Sequence, residues 1–299
     1  MPLSVSIGIP AYNERNNIAN LLTALLKQRT SKVKITEIIV VSSGSSDGTD
    51  AIVKDYSKKE KRIKLVTQNS REGKASAIND FLKASCSDLL VLESADTIPQ
   101  DRTIEKLCLP FENSTVGMAG AHPVPTNNEN SFMGYTSHLL WDLHNQMAMR
   151  DPKCGELVAF RRVFESIPKD TAVDEAWIEY EIKKRNLRIV YVPGAIVFNR
   201  GPETIGDFLR QRRRIACGHL DLNKRTNFLV STDKFAFMLP AIFKVIPRKE
   251  LDKWFFFAGA LALESFSRFL GYYDYHKKTN NHSVWEISKT TKSLDMHAD

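Results

Sequence analysis

Short apolar runs alternate with amphipathic segments from the N-terminus to Leu92, and this alternation restricts the fold more than any other feature of the chain. The runs have the length of β-strands, and residues 38–41 are apolar throughout, as in a parallel strand buried on both faces. Strand–helix alternation predicts an α/β fold with a parallel sheet and helices on both faces. Strands are predicted at 5–10, 38–41, 63–66 and 89–92, and helices from 13–14, at 51–56 and at 74–84.

Polar loops follow all of these predicted strands. Because the carboxyl ends of parallel strands meet at one edge of a sheet, and ligands of such sheets bind outside that edge, we expect the loops to converge on one crevice. This arrangement is typical of nucleotide-binding sites. The loops are residues 11–14, 42–47, 71–74 and 93–96.

The middle of the chain is less regular, with a loop predicted where Asn and Pro cluster at 123–130. Further on, helices are predicted at 131–149, 174–184 and 204–219, and a strand at 188–192. We therefore predict one α/β unit over residues 1–225, with halves at 1–110 and 111–225. Residues 226–299 are expected to form a separate C-terminal helical region.

The C-terminal region contains two apolar, aromatic segments that are interrupted by polar residues. Residues 235–246 are short and contain Lys244 and a proline, and residues 254–275 contain Glu264 and Arg268. Neither has the roughly 20 uninterrupted apolar residues of a plain membrane span. Both suit helices that lie in a membrane interface, where basic residues meet anionic lipid. The alternatives are a helical pair that packs on the α/β unit or a partner, and a single span at 254–273. The basic residues are Lys244, Arg248, Lys249 and Lys253.

Composition narrows the partners and the compartment. The 299-residue chain has a formal net charge of +7, which favours anionic partners such as nucleotide diphosphates, lipid head groups or nucleic acid. No recognisable nucleic-acid-reading motif accompanies the charge, so we expect no nucleic-acid partner. The four cysteines lie far apart without a CxxC pair, which predicts free thiols in a reducing compartment. No secretory signal is recognisable at the N-terminus, so we expect the cytoplasmic face of a membrane.

The motifs, taken in order, resemble those of family 2 glycosyltransferases with the GT-A fold, a Rossmann-like mixed sheet flanked by helices. The basic segment followed by apolar helices is similar to the membrane-associated, cellulose-synthase-like branch with its Gln-x-x-Arg motif. The resemblance implies that residues 1–225 are a catalytic domain, with a nucleotide-binding half at 1–110 and an acceptor half at 111–225. It implies inverting transfer from a UDP- or GDP-sugar with Mg²⁺ or Mn²⁺. It suggests a lipid or lipid-linked glycan acceptor at the membrane surface. The motifs are Pro10-Ala-Tyr-Asn-Glu14, Ser43-Gly-Ser-Ser-Asp-Gly-Thr49, Gly73-Lys74, Ser94-Ala-Asp96, Asp174-Glu175 and Gln211-Arg-Arg-Arg214.

On the donor side, Tyr12 can stack on a base, Glu14 can accept from the ribose or the base, and Lys74 can neutralise the diphosphate. Asp47 has a competing structural role as a cap for the helix that begins near Thr49. The resemblance implies donor contacts from Pro10, Tyr12, Glu14, Ser43, Asp47, Lys74, Ser94 and Asp96.

The chain departs from the family pattern where carboxylates are usual. Ser42 and Ser43 replace an Asp pair, which leaves the identity of the base open. Ser94 replaces the first acid of the Asp-x-Asp metal motif, so we assign the metal to Asp96, with Ser94 binding directly or through water. Glu93 is adjacent, but neighbouring strand residues point to opposite faces. The missing acids also leave open a catalytically inactive, sugar-nucleotide-binding partner of another membrane enzyme.

The acceptor side carries the predicted chemistry. Either Asp174 or Glu175 is the general base, with the usual base position of the family falling on Glu175. Gln211, Arg213 and Arg214 are expected to bind the departing diphosphate or an acceptor phosphate, although Ile215 stands where the family has Trp. Gly155 is expected to let the backbone approach the acceptor sugar closely.

Overall fold

The computed structural model describes residues 2–231, 235–247 and 253–277. Its strands are β1 (Leu3–Ala11), β2 (Val33–Ser43), β3 (Ile63–Gln68), β4 (Leu89–Glu93), β5 (Thr97–Pro99), β6 (Val116–Pro125), β7 (Leu157–Arg161) and β8 (Arg188–Asn199). Its α-helices are α1 (Ile18–Leu26), α2 (Thr49–Lys59), α3 (Lys74–Ala84), α4 (Thr103–Cys108), α5 (Phe132–Ala148), α6 (Asp174–Lys183), α7 (Ile205–Thr226), α8 (Phe235–Val245) and α9 (Lys253–Lys277). A 3₁₀ turn spans Leu109–Glu112.

Within the described residues the strands form one eight-stranded sheet with the order β3-β2-β1-β4-β7-β6-β8-β5. The first four strands of the chain are mutually parallel, as their apolar runs predicted. Beyond β4 the sheet is mixed, because β7 pairs antiparallel with both β4 and β6, and β5 pairs antiparallel with β8. The expected mixed α/β sheet flanked by helices is confirmed.

Two apolar layers, one on each side of the sheet, hold the N-terminal half together. Ile7, Ile38 and Val91 point into one layer with α1, and Ile39, Leu90 and Phe160 point into the other with α3. The ring of Phe81 lies so close to Gly8 that a Cβ there would be 2.4 Å from it. This close contact seats α3, and with it the loop that starts the helix, against the sheet.

Several elements of the structure differ from the prediction. The first helix begins at Ile18 and not at residues 13–14, because Asn13 has a left-handed φ of 53°. Its side chain accepts a hydrogen bond from the Ser46 N–H (2.9 Å) and so holds the loop after β2. β6 was not predicted, because its glycines and prolines are not typical of a strand. In the structure it is nevertheless paired on both sides. The strand predicted at 188–192 continues to Asn199.

The C-terminal helices α8 and α9 pack on α5 around Leu143, Phe257 and Ala260. α9 also packs on α7, with Arg212 bound to Glu264 (2.5 and 2.7 Å). The packing alternative for these helices is therefore realised within the chain. No helix in residues 2–231, 235–247 and 253–277 is long and apolar enough to cross a membrane, so the alternative of a span at 254–273 does not hold.

Some predictions fall at or beyond the limits of what the structure describes. Arg248, Lys249 and residues 278–299 lie outside the described residues. α7 runs to Thr226, across the domain boundary predicted at 225, and the division into domains stays a prediction. All four cysteines are free, as predicted.

Candidate active site

The loops after β1, β2, β3 and β4 lie around one cavity of about 1000 Å³. Helices α5, α6, α7 and α9 close its other side. The sequence-predicted residues that line it are Pro10, Tyr12, Glu14, Ser43, Lys74, Ser94, Asp96, Gly155, Asp174, Glu175, Gln211, Arg213 and Arg214. The convergence expected from the parallel strand ends is thus present in the structure.

Asp47 is the predicted donor residue that is not among those lining the cavity. Its carboxylate accepts hydrogen bonds from the backbone N–H groups of Arg15 (2.9 Å) and Thr49 (3.0 Å), and from the Thr49 hydroxyl (2.6 Å). It therefore ties the start of α2 to the loop after β1. This is the competing structural role predicted for Asp47. The residue positions the loops after β1 and β2 without contacting the cavity.

The nucleotide end of the cavity combines an aromatic ring with a cation. The Arg71 guanidinium lies 4.3 Å from the centre of the Tyr12 ring, a cation–π arrangement. Glu14 is buried and accepts a hydrogen bond from the Asn17 amide (3.0 Å). Ser43 accepts one from the Glu72 N–H (2.9 Å), which fixes the loop that precedes Lys74. A planar, positively charged wall of this kind suits a base and a phosphate group.

An ion-pair cluster occupies the centre of the cavity. Lys74 Nζ lies 2.6 Å from Glu175 Oε1 and 3.9 Å from Asp174 Oδ2. Burial alone lowers the pKa of Lys74, but the two carboxylates outweigh it and raise this pKa above its ordinary value. The ammonium therefore stays charged, because α3 and α6 deliver opposite charges to one point.

The two acids at the start of α6 differ in exposure and in protonation. The Asp174 side chain is 3% exposed and that of Glu175 is 20% exposed. Burial raises the pKa of Asp174 to about 7, in spite of Lys74. Burial also acts on Glu175, but the charge and hydrogen bond of Lys74 outweigh it and lower the pKa. Glu175 is therefore the more readily ionised and the more accessible acid of the pair.

The three consecutive arginines of α7 face different partners. Arg214 lines the cavity, where its charge acts on Asp96, Asp174 and Glu175. Arg213 lines the cavity too and donates two hydrogen bonds of 2.7 and 2.9 Å to Asp274 of α9, and its phosphate-binding role stays a prediction. Arg212 binds Glu264 of the same helix. Within this segment Arg214 is thus the arginine directed at the acidic cluster.

Two acids next to the predicted metal motif behave differently. Glu93 is fully buried, accepts a hydrogen bond from the Thr97 hydroxyl (2.5 Å) and is absent from the cavity wall, as expected for the opposite face of the strand. Burial raises its pKa to about 8, so it is protonated at neutral pH. Asp96 does line the cavity together with Ser94. Burial raises the pKa of Asp96, an effect that Lys74 and Arg214 oppose.

Sequence reasoning missed Glu156, which follows the predicted Gly155 and also lines the cavity. It has a left-handed φ of 61°, a strained conformation for a residue with a long side chain. Burial and then the charge of Asp96 raise its pKa to about 7, and a hydrogen bond from Asn199 opposes this. The sequence offered no signal beyond an acid beside Gly155.

The comparisons with known proteins agree with this geometry. Residues 6–167 match the family model described as Glycosyl transferase family 2, and residues 90–272 match the model described as Glycosyl transferase family group 2. The first of these covers more than half of the chain. The chain therefore belongs to glycosyltransferase family 2, as its motifs indicated.

Among curated relatives, the poly-beta-1,6-N-acetyl-D-glucosamine synthase of Staphylococcus epidermidis is 25% identical over 227 residues, which are 72% of this chain and 54% of the relative. Glycosyltransferase AglE of Haloferax volcanii is 29% identical over 118 residues, 40% of this chain and 38% of the relative. The chain thus spans about half, or less, of the length of these relatives.

Solved structures show the same fold at low identity. The mannosyltransferase PcManGT from Pyrobaculum calidifontis, solved with GDP-Man and Mn²⁺, has a TM-score of 0.65 and 19% identity over 92% of this chain and 88% of its own. Glucosyl-3-phosphoglycerate synthase from Mycobacterium tuberculosis, solved with Mn²⁺, UDP and glucosyl-3-phosphoglycerate, has a TM-score of 0.52 and 15% identity over 77% of this chain and 82% of its own. These likenesses establish the GT-A architecture.

Proposed function

We propose that the protein transfers a sugar, with inversion at the anomeric carbon, from a UDP- or GDP-sugar to an acceptor hydroxyl. The observation that carries the proposal is the central cluster, where Lys74 and Arg214 lie among the carboxylates of Asp174 and Glu175. The two cations can offset the negative charge of a leaving diphosphate, and an ionised carboxylate beside them can take a proton. Family membership, the GDP-Man bound in one of the two solved structures and the UDP bound in the other support the donor class.

The residues have distinct roles in this reaction. Glu175 removes the proton of the acceptor hydroxyl while the hydroxyl oxygen bonds to the anomeric carbon. The bond between that carbon and the diphosphate oxygen breaks, and the diphosphate leaves towards Lys74 and Arg214. In the structure Lys74 holds Glu175. A bound diphosphate competes for the ammonium, so donor binding releases the base for the acceptor.

The cavity fits the divalent metal that the family resemblance implies. Asp96 and the Ser94 hydroxyl are hard oxygen donors in its wall, and they would hold Mg²⁺ or Mn²⁺. Among the described residues no three His, Cys, Asp or Glu side chains form a ready-made metal cage. This matches sites in which one or two carboxylates and the substrate phosphates share the ion. When bound, the metal offsets the charge that develops on the leaving diphosphate.

We further propose that the acceptor is a lipid or a lipid-linked glycan at the cytoplasmic face of a membrane. An apolar wall from α5, α8 and α9 continues the same cavity away from the charged centre, which favours an acceptor with an alkyl portion. The outer face of α8 and α9 exposes many aromatic and aliphatic side chains, which favours contact with lipid. The wall includes Leu140, Trp141, Met238, Ile242 and Leu261, and the outer face includes Phe243, Trp254, Phe255, Phe266, Phe269, Tyr272 and Tyr273.

A thermal-shift panel of UDP- and GDP-sugars, with and without Mn²⁺, tests the donor class, and donor turnover tests the activity. Because ligands that bind the native state stabilise it by mass action, a matching donor should raise the melting temperature. Lys74→Met should abolish that shift, whereas Lys58→Met on exposed α2 should preserve it. No shift with any donor contradicts the proposal. Turnover of any donor excludes the alternative of an inactive sugar-nucleotide-binding partner.

A further inference from the structure

The predicted metal site has a carboxylate deficit. Ser94 provides a hydroxyl at the position where the family places the first acid of its metal motif, which leaves Asp96 as the acid of that motif in the cavity. Glu93 cannot fill the gap, because it is fully buried outside the cavity wall and bound to Thr97. A hard divalent ion held beside a diphosphate is usually bound through one or two carboxylates. The site therefore has either a single carboxylate, that of Asp96, or a second carboxylate that comes from another part of the fold.

The backbone places Glu156 directly beside Ser94. The Ser94 N–H donates a hydrogen bond to the Glu156 carbonyl oxygen (3.1 Å), and the adjoining residues Glu93 and Leu157 are partners in the antiparallel ladder of β4 and β7. Both side chains enter the wall of the same cavity. The sheet thus brings an acid from the start of β7 to the place where β4 lacks one.

The conformation of Glu156 is costly. A φ of 61° is unfavourable for a residue with a Cβ. Glycine adopts it without strain, and Gly155 is the neighbouring residue. Backbone strain of this kind clusters at ligand-binding sites, and here it accompanies a carboxylate in the cavity wall.

A second feature of the cavity wall points to a ligand at this place. Asn199, at the end of β8, is 6% exposed and hydrogen-bonds the Glu156 carboxylate. Its side-chain oxygen is buried and has no hydrogen-bond partner among the residues that the structure describes. An unsatisfied amide oxygen is costly, and together with the nearby carboxylates of Asp96 and Glu156 it offers the oxygen chemistry that Mg²⁺ and Mn²⁺ prefer.

From these contacts we infer that Glu156 supplies the second metal-binding carboxylate, in the place of the acid that Ser94 lacks, with Asn199 orienting it. The inference rests on the proposed function, since the diphosphate of the donor completes the site. It makes the metal motif of this chain discontinuous, with Asp96 on the loop after β4 and Glu156 at the start of β7. In this arrangement the second carboxylate comes from the start of β7 and not from the end of β4.

The test measures Mn²⁺ binding directly, by electron paramagnetic resonance and calorimetry, with saturating UDP or GDP and no sugar acceptor. The nucleotide is the one that gives wild type the larger thermal shift. Glu156→Gln keeps the size of the side chain and should weaken Mn²⁺ binding at least tenfold. Adding Ser94→Asp to Glu156→Gln should restore it to within about threefold of wild type, because the carboxylate returns to β4. Glu112→Gln, an exposed acid far from the cavity, is the matched control and should bind like wild type.

Several outcomes overturn the inference. Glu156→Gln binding Mn²⁺ like wild type shows that the carboxylate is not a ligand. Failure of Ser94→Asp to restore binding in a variant that melts like wild type shows that Glu156 does not replace the acid missing at Ser94. If the wild-type protein binds nucleotide and turns over donor but does not bind Mn²⁺, the inferred metal site does not exist, while the proposed transfer still holds. Wild type that binds no nucleotide defeats the proposed function as well.

Discussion

The two sides of the cavity are stabilised in opposite ways. On the sheet side, β1, β2 and α3 bury aliphatic and aromatic side chains such as Ile7, Ile38 and Phe81. On the helical side, α9 turns mainly small and acidic residues inward and leaves most of its aromatic residues outside, with Phe257 as a buried exception. Its buried face consists of Phe257, Ala260, Glu264, Ser267, Gly271 and Asp274.

This difference shows how α7 is oriented between the two sides. Glu264 and Asp274 of α9 bind Arg212 and Arg213, while Arg214 faces the acidic cluster of the cavity. The stabilisation from apolar burial does not depend on pH or on one precise orientation of the side chains. A buried ion pair, by contrast, requires both partners in place. The sheet side therefore supplies a rigid frame, and the helical side fixes α7 by charge.

The largest expected effect tests whether the chemistry belongs to the cluster between α3 and α6. Glu175→Gln removes the proposed base without changing its size, and we expect transfer to fall by about 10²–10⁴-fold. Steady-state kinetics with the donor identified by thermal shift measure it. Glu181→Gln, farther along α6, is the control and should keep its activity. Full activity in Glu175→Gln together with a large loss in Asp174→Asn assigns the base to Asp174 instead.

A matched pair of phenylalanines sharpens the contrast in packing. Phe81→Ala removes a fully buried ring that packs on Gly8 and should lower the free energy of unfolding by about 3–5 kcal/mol. Phe255→Ala removes a ring that is 84% exposed and should change it by less than about 0.5 kcal/mol. Urea denaturation monitored by circular dichroism measures both. An equal loss in the free energy of unfolding for both variants would mean that the outer face of α9 is covered in the folded protein.

The charge-dependent attachment of α9 should fail at low pH. Burial on its own raises the pKa of Glu264, but Arg212 and Arg268 outweigh it and lower this pKa from 4.5 to about 2. A lowered pKa means that the stabilisation is fully present above about 4.5 and is lost as the pH falls towards 2. Hydrogen exchange of α9, corrected for intrinsic rates, should therefore accelerate over this range before that of β1.

Glu264→Gln should reproduce the same loosening at neutral pH, because it leaves Arg212 without its buried counter-charge. Breaking a buried pair in this way typically costs about 3 kcal/mol or more. Glu203→Gln, on the exposed loop before α7, is the control. Unchanged exchange of α9 in Glu264→Gln would show that apolar contacts with α5 suffice to hold the helix.

The sheet side was largely predictable from sequence because its signals are local. Continuous apolar runs located the first four strands, and the helix predicted at 74–84 is α3 to the residue. Since parallel strands place their carboxyl ends at one edge, the positions of Lys74 and Asp96 in one cavity followed from the pattern.

The features that sequence missed depend on contacts between distant segments. Glu156 lies beside Ser94 only because β7 pairs antiparallel with β4, a topology that no local pattern specifies. β6 is a strand because β7 and β8 flank it, despite its glycines and prolines. Glu264 and Arg268 read as interruptions of an apolar segment, whereas in the structure they form an ion pair (2.7 Å) on the α7 side of α9. Which face of a helix is buried depends on its neighbour, here an arginine-rich one.

The smallest expected effect concerns the outer face of α8 and α9. If this face meets lipid, the double substitution Phe255→Ser and Phe269→Ser should weaken binding to vesicles about tenfold, since each ring loses part of the roughly 1.5–3 kcal/mol of full apolar burial. Exposed Lys244 and Lys277 predict tighter binding to phosphatidylglycerol than to phosphatidylcholine vesicles, and weaker binding in high salt. Co-sedimentation measures both. Met149→Ser, which removes a 61% exposed apolar side chain just beyond α5, is the matched control. If the wild-type protein binds vesicles of neither composition, the aromatic face contacts a protein partner and not lipid.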